Sequence, residues 1–200
     1  NNANRISDEI LYFNSESTLI SLQNGGGKSV LVQMLTAPFV HSRYRNAKDR
    51  PFESYFTTAK PSFILVEWAL DQGAGYVLTG LMVRKAQDMQ EESKENLDII
   101  GIISEYQESC IQDIRHLPVV EKGKKEMILK NFNSCRQLFE GYKKDRDMKF
   151  FYYDLTNYAQ SRQYFEKLLE YQINYKEWET IIKKINVKAV SYTHLRAHET

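Results

Sequence analysis

Short apolar runs alternate with polar connections along the chain, and the spacing inside each run separates strands from helices. Residues 10–13 and 18–22 are apolar runs on either side of the turn-like Asn14-Ser15-Glu16-Ser17, and together they predict a hairpin. Residues 62–70 (SFILVEWAL) and 76–84 flank Asp71-Gln72-Gly73-Ala74-Gly75 and predict a second hairpin. A parallel βαβ unit would put a helix between such strands, so this hairpin argues for a mixed sheet. Further strands are expected over 97–106 and over 148–155. Helical spacing begins at Lys28, where Val30, Leu31, Met34 and Leu35 form one stripe that Pro38 ends. It returns over 133–144, with Leu138 and Phe139 apolar and Lys143-Lys144 near the end. Residues 157–186 read as two helices, with a break at Ile173-Asn174. Residues 88–98 read as a solvated acidic loop and residues 121–126 as a charged turn. The pattern is that of one α/β domain with no internal linker.

Composition changes this picture little. The chain has 200 residues, 42% hydrophobic and 26% charged, which suits a folded domain with a real core. Its net charge of +1 gives no global argument for nucleic acid, so any such surface must be local. Cys110 and Cys135 lack metal-ligand spacing and read as core thiols, and His116 reads as structural. Two cysteines fit a reduced cytoplasmic setting, and no apolar run is long enough to span a bilayer. The opening Asn1-Asn2-Ala3-Asn4 is not a signal peptide.

The stretch that carries chemistry is LISLQNGGGKSVLVQML, residues 19–35. An apolar run, a glycine turn, Lys-Ser and an apolar helix follow one another as a phosphate-binding loop requires. Glycines let the backbone approach an anion closely, and the helix that follows offers free N–H groups and the positive end of its dipole. Asn24, Gly25, Gly26, Gly27, Lys28, Ser29 and Val30 are the expected nucleotide-binding residues. Lys28 would sit on the β/γ-phosphates and Ser29 on Mg²⁺. The strict pattern has glycine six residues before the lysine, where this chain has Leu22.

Hydrolysis also needs a carboxylate on the metal shell and a group that positions water. FFYYD, residues 150–154, has the outline of the first and makes Asp154 a candidate Mg²⁺ ligand. It is followed by Leu155 rather than a glutamate, and the chain contains no Ser-Gly-Gly loop. Between 41 and 59, Arg43, Arg45 and Arg50 are interleaved with Tyr44, Phe52, Tyr55 and Phe56. Such a segment can contact DNA or nucleotide, or form a solvated loop with aromatic anchors. Glu67 is expected to face outward or lie at a sheet edge.

TLISLQNGGGKS (18–29), DRPFESYF (49–56) and FILVEW (63–68) resemble the bacterial SMC-like chromosome-segregation ATPases of the Muk-type and Wadjet-type, within the ABC class of P-loop proteins. The resemblance implies that residues 1–189 are the amino-terminal lobe of an ATPase head, using ATP and Mg²⁺. It also implies that the carboxyl-terminal half of the same protein supplies the signature motif, the Mg²⁺-binding aspartate and the catalytic glutamate. Implied partners are that half, a second head, DNA and kleisin-type subunits, in a cytoplasmic, nucleoid-associated setting. Residues 190–200 (VSYTHLRAHET) resemble the translated frame of a transposase-type sequencing adapter, and are expected to be a non-native tail. His194 and His198 are therefore not read as metal ligands. Three alternatives stay open: a compact P-loop kinase using Asp154, the nucleotide-binding half of a transporter or repair ATPase, and a DNA-binding module with a vestigial phosphate loop.

Overall fold

The computed structural model describes residues 9–13, 17–21, 23, 27–47, 50–86 and 96–196, with 186–196 as backbone alone. Helix α1 (Lys28–Thr36) runs into a single 3-10 turn at Ala37–Phe39, followed by the short α2 (Ser42–Arg45) and a 3-10 turn at Phe52–Tyr55. Strands β1 (Ser62–Ala69), β2 (Tyr76–Lys85) and β3 (Leu97–Tyr106) come next, then the small ribbon β4 (Val120–Lys122) and β5 (Met127–Leu129). Helix α3 (Phe132–Lys144), strand β6 (Lys149–Asp154), α4 (Tyr158–Glu170) and α5 (Tyr175–Arg196) complete the described chain.

The main sheet has the order β1-β2-β3-β6, and each neighbouring pair is antiparallel. The fold is mixed α/β with an antiparallel sheet, not the mixed sheet expected from sequence. The connection from β1 to β2 is too short to cross over, so the strands must reverse direction. The connection from β3 to β6 travels through the ribbon and α3, and β6 also returns antiparallel.

Both faces of the sheet are covered, which explains why β2 and β3 read as nearly continuous apolar runs. Val77, Leu81, Val83, Ile99 and Ile103 pack with Phe39, Phe52, Tyr164, Phe165 and Leu168 on one side. Met82, Ile100, Ile102, Phe150 and Tyr152 pack with Phe132, Cys135 and Phe139 of α3 on the other. Asparagines start the two helices that cover these faces. Asn131 accepts from the Ser134 amide at 2.9 Å and Asn157 from the Gln160 amide at 3.1 Å. The expected break near Ile173 is present, with Gln172 at φ 61° between α4 and α5.

Gly101 of β3 lies directly under Tyr164 of α4. A Cβ there would lie 2.7 Å from Cδ2 of the fully buried Tyr164. The Tyr164 hydroxyl donates to the Pro38 carbonyl at 3.1 Å, so the ring cannot withdraw freely. Gly101→Ala should therefore cost about 1–3 kcal/mol by overpacking, read as a lower urea midpoint at unchanged slope.

The first expected hairpin does not form among the described residues. Residues 9–13 and 17–21 pair with no strand, and Leu19 is 93% exposed. An apolar run becomes a strand only where another backbone completes its ladder, and among the described residues no strand pairs with this one. The acidic loop expected at 88–98 lies mostly outside the described residues, and Asp98 belongs to β3. The expected charged turn at 121–126 is the turn of the β4–β5 ribbon. The backbone of α5 continues through 190–196, inside the stretch that resembles adapter sequence. Among the described residues, no helix is long and apolar enough to cross a membrane.

Candidate functional site

The helix expected from Lys28 is present as α1, directly after Gly27. Gly27 adopts φ 82°, ψ 19°, a left-handed conformation that suits glycine, and its carbonyl accepts from the Leu31 amide at 2.9 Å. Lys28 and Ser29, the first two residues of α1, are exposed, while Val30 turns into the protein at 6% exposure. Among the described residues no side chain caps the start of this helix, and its first turn holds no acidic residue. The positive end of α1 is therefore not offset by a carboxylate of its own first turn. Asn24, Gly25 and Gly26 lie outside the described residues.

The segment after α1 folds back on it through one side chain that sequence reasoning passed over. Gln33 is buried, and its Nε2 donates to the carbonyls of Arg45 at 2.6 Å and Arg50 at 3.3 Å. Its Oε1 accepts from the Tyr55 hydroxyl at 3.1 Å. A glutamine beside the apolar stripe of α1 was the available signal. Gln33→Ala leaves two carbonyls and a hydroxyl without this partner. It should cost about 1–3 kcal/mol and raise amide exchange across 45–55.

This fold-back divides the three arginines. Arg45 is 3% exposed and its Nε donates to the Ala37 carbonyl at 3.1 Å, so its role is to hold the turn rather than to meet a ligand. That corrects its expected place among surface cations. Arg43 and Arg50 are exposed. The Arg43 guanidinium lies 4.8 Å from the centroid of the Tyr44 ring, and the Lys183 ammonium of α5 lies 5.2 Å from the same ring. His41, just before α2, meets the buried Glu179 of α5 at 2.7 Å and packs between Phe165 and Tyr175.

Asp154 ends β6 and turns the chain into α4. Its carboxylate accepts from the Thr156 amide at 2.9 Å and the Thr156 hydroxyl at 2.6 Å. Strand β6 forms the opposite edge of the sheet from β1, against which α1 packs. The structure thus gives Asp154 a turn-forming role and does not bring it to Ser29. Glu67 is exposed on the edge strand β1, as expected, and accepts a hydrogen bond from the Tyr106 hydroxyl. Burial and that carboxylate push the Tyr106 hydroxyl well above the ordinary phenol value, so it stays a donor.

A second polar cluster occupies the loop after β3. Asp113 is 5% exposed and accepts from Ser109 Oγ at 2.9 Å and from the amides of Cys110, Arg115 and His116 at 3.1, 2.8 and 2.7 Å. His116 Nδ1 lies 2.8 Å from Asp113 Oδ2. Burial alone would raise the Asp113 carboxyl, but these hydrogen bonds outweigh it and hold the group well below the ordinary carboxylate range. The depressed value means the stabilisation is present above the ordinary value of 3.8 and is lost as pH falls below it. Asp113→Asn should flatten the acid limb of stability against pH, as read by thermal melts between neutral pH and about pH 3. Cys135 is a core thiol as expected, whereas Cys110 is partly exposed. Among the described residues no group of three or more metal-ligating side chains comes together. No family model, no curated protein and no solved structure matches the chain.

Proposed function

We propose that the chain binds Mg-ATP through Asn24 to Val30 and acts as the amino-terminal part of an SMC-like, ABC-class ATPase head working on DNA. The observation that carries this reading is the left-handed Gly27 leading directly into an uncapped helix that begins with exposed Lys28 and Ser29. Oriented N–H groups, an ammonium and a hydroxyl are the donor set that a nucleotide's phosphates and their magnesium require. Lys28 would hold the β/γ-phosphates and Ser29 the metal; bound magnesium would neutralise phosphate charge. Arg43, beside the Tyr44 ring, and the exposed Arg50 are the cations offered for DNA or nucleotide.

Turnover in this reading needs a signature loop and a catalytic carboxylate from a carboxyl-terminal half, with a second head, DNA and kleisin-type subunits as partners near the nucleoid. A compact kinase would need Asp154 on the metal, and the Thr156 contacts of that carboxylate lend it no support. The test is to measure ATP binding and ATP hydrolysis on the same sample. Saturable binding with hydrolysis no faster than in the Lys28→Ala variant is expected. Ordinary enzymatic turnover by this chain alone would overturn the composite-site reading.

A further inference from the structure

The β4–β5 ribbon keeps an apolar face open to solvent. Opposite residues of an antiparallel pair share a face. Val120 and Leu129, with Lys122 and Met127, therefore lie on one side, and Glu121 with Ile128 on the other. The charges of Glu121 and Lys130 both act on the buried Cys135 thiol of α3, which puts the Glu121 side toward that helix. The first face points away from α3, and on it Val120 is 44% exposed, Leu129 45% and Met127 61%. The ribbon is an anchored arm. At its base the Lys130 amide donates to the Val119 carbonyl at 2.8 Å, and Leu117 and Val119 pack into the core. At its tip the Gly123 amide donates to the Glu126 carbonyl at 2.9 Å. A contiguous apolar face held in water in this way marks an interaction surface.

The charge around that face decides what fits it. Residues 120–130 hold four lysines, Lys122, Lys124, Lys125 and Lys130, against two glutamates, Glu121 and Glu126. All of these but Lys130 are exposed. A second copy would bring this basic rim against itself, and two three-residue strands fall far short of the roughly 800 Å² per partner that a stable dimer buries. A bilayer would have to take the charged tip Lys124-Lys125-Glu126 first, because the apolar side chains lie along the strands behind it. We propose that the face docks an acidic amphipathic helix of a protein partner. Its apolar stripe would lie on Val120, Met127 and Leu129, and its carboxylates on the lysines at the rim. A helix about 10 Å across covers two strands about 4.8 Å apart. The ribbon needs no nucleotide for this, so the surface stands or falls separately from the phosphate loop.

Fluorescence polarisation with labelled synthetic peptides tests this on the unmodified chain. Three peptides of about 16 residues share one Leu/Phe stripe at helical spacing and carry Glu, Gln or Lys at the other positions. The Glu peptide should bind about tenfold more tightly than the Lys peptide, and rising salt should erase the difference. Met127→Ser combined with Leu129→Ser should remove binding. Lys122→Glu, Lys124→Glu and Lys125→Glu together should turn the preference to the Lys peptide. These side chains are exposed, so the fold should stand. The Met127 methyl signal of the unmodified chain should shift along the binding curve, which places the peptide even if a variant folds poorly. No binding, equal binding of the three peptides, or an unmoved Met127 signal would overturn the proposal. So would ribbon-dependent self-association, or adsorption to phosphatidylserine vesicles, in place of peptide binding.

Discussion

Lys28→Ala is expected to weaken Mg-ATP binding by on the order of 100-fold while leaving the fold intact. The two halves of that expectation have separate grounds. Lys28 is exposed at the first position of α1, so its removal takes nothing from the core. A lysine on the β/γ-phosphates, in contrast, makes a charge-assisted contact whose loss leaves phosphate charge unpaired. Truncating one partner of such a pair costs about 2–5 kcal/mol, and about 1.4 kcal/mol corresponds to a factor of ten. Ser29→Ala should act differently, shifting the magnesium dependence of binding more than its affinity for free nucleotide. Titration with a fluorescent ATP analogue, at several magnesium concentrations, separates the two. Equal affinity in Lys28→Ala and the unmodified chain would remove the lysine from the phosphate site.

Phe39→Ala should destabilise the protein by about 3–5 kcal/mol, a large part of the 5–15 kcal/mol typical of a domain. Phe39 is 1% exposed and sits where three elements meet. Its ring centroid lies 5.4 Å from that of Trp68 on β1, edge to face, and 5.1 Å from that of Trp178 on α5. Truncation would empty the centre of this aromatic group and loosen the turn that ends α1. Conservative Phe39→Leu should cost less, because it keeps most of the volume. Urea denaturation followed by tryptophan fluorescence reports on stability and on the packing of both indoles. A loss below about 1 kcal/mol would mean that the three elements do not depend on this contact.

What was legible in the sequence was set by locality. The β1–β2 hairpin follows from two apolar runs around a glycine-containing turn, and α3 and α4 follow from apolar stripes beginning at asparagine. Features that depend on distant partners were not legible. Residues 10–13 and 18–21 have strand composition but join no strand ladder among the described residues. Ribbon β4–β5 was missed because its strands are three residues each and its apolar side chains are exposed, so no burial pattern marks it. At the candidate site, the start of α1 was readable because a glycine run followed by an apolar helical stripe is a local signal. Arg45 was not, since a charged residue in a polar stretch gives no sign that its guanidinium turns inward to Ala37. Gln33 is the same case in reverse: a polar side chain beside an apolar face, buried because it satisfies carbonyls twelve and seventeen residues away.

The central claim is that the Gly27–Ser29 junction holds the phosphates of a nucleotide. Isothermal titration of Mg-ATP into the unmodified chain, followed by amide spectra of Gly27, Lys28 and Ser29, measures it most directly. One saturable site, with those three amides shifting along the binding curve and AMP failing to compete, is the predicted result. No saturable binding, or binding that leaves the three amides unmoved, would contradict it.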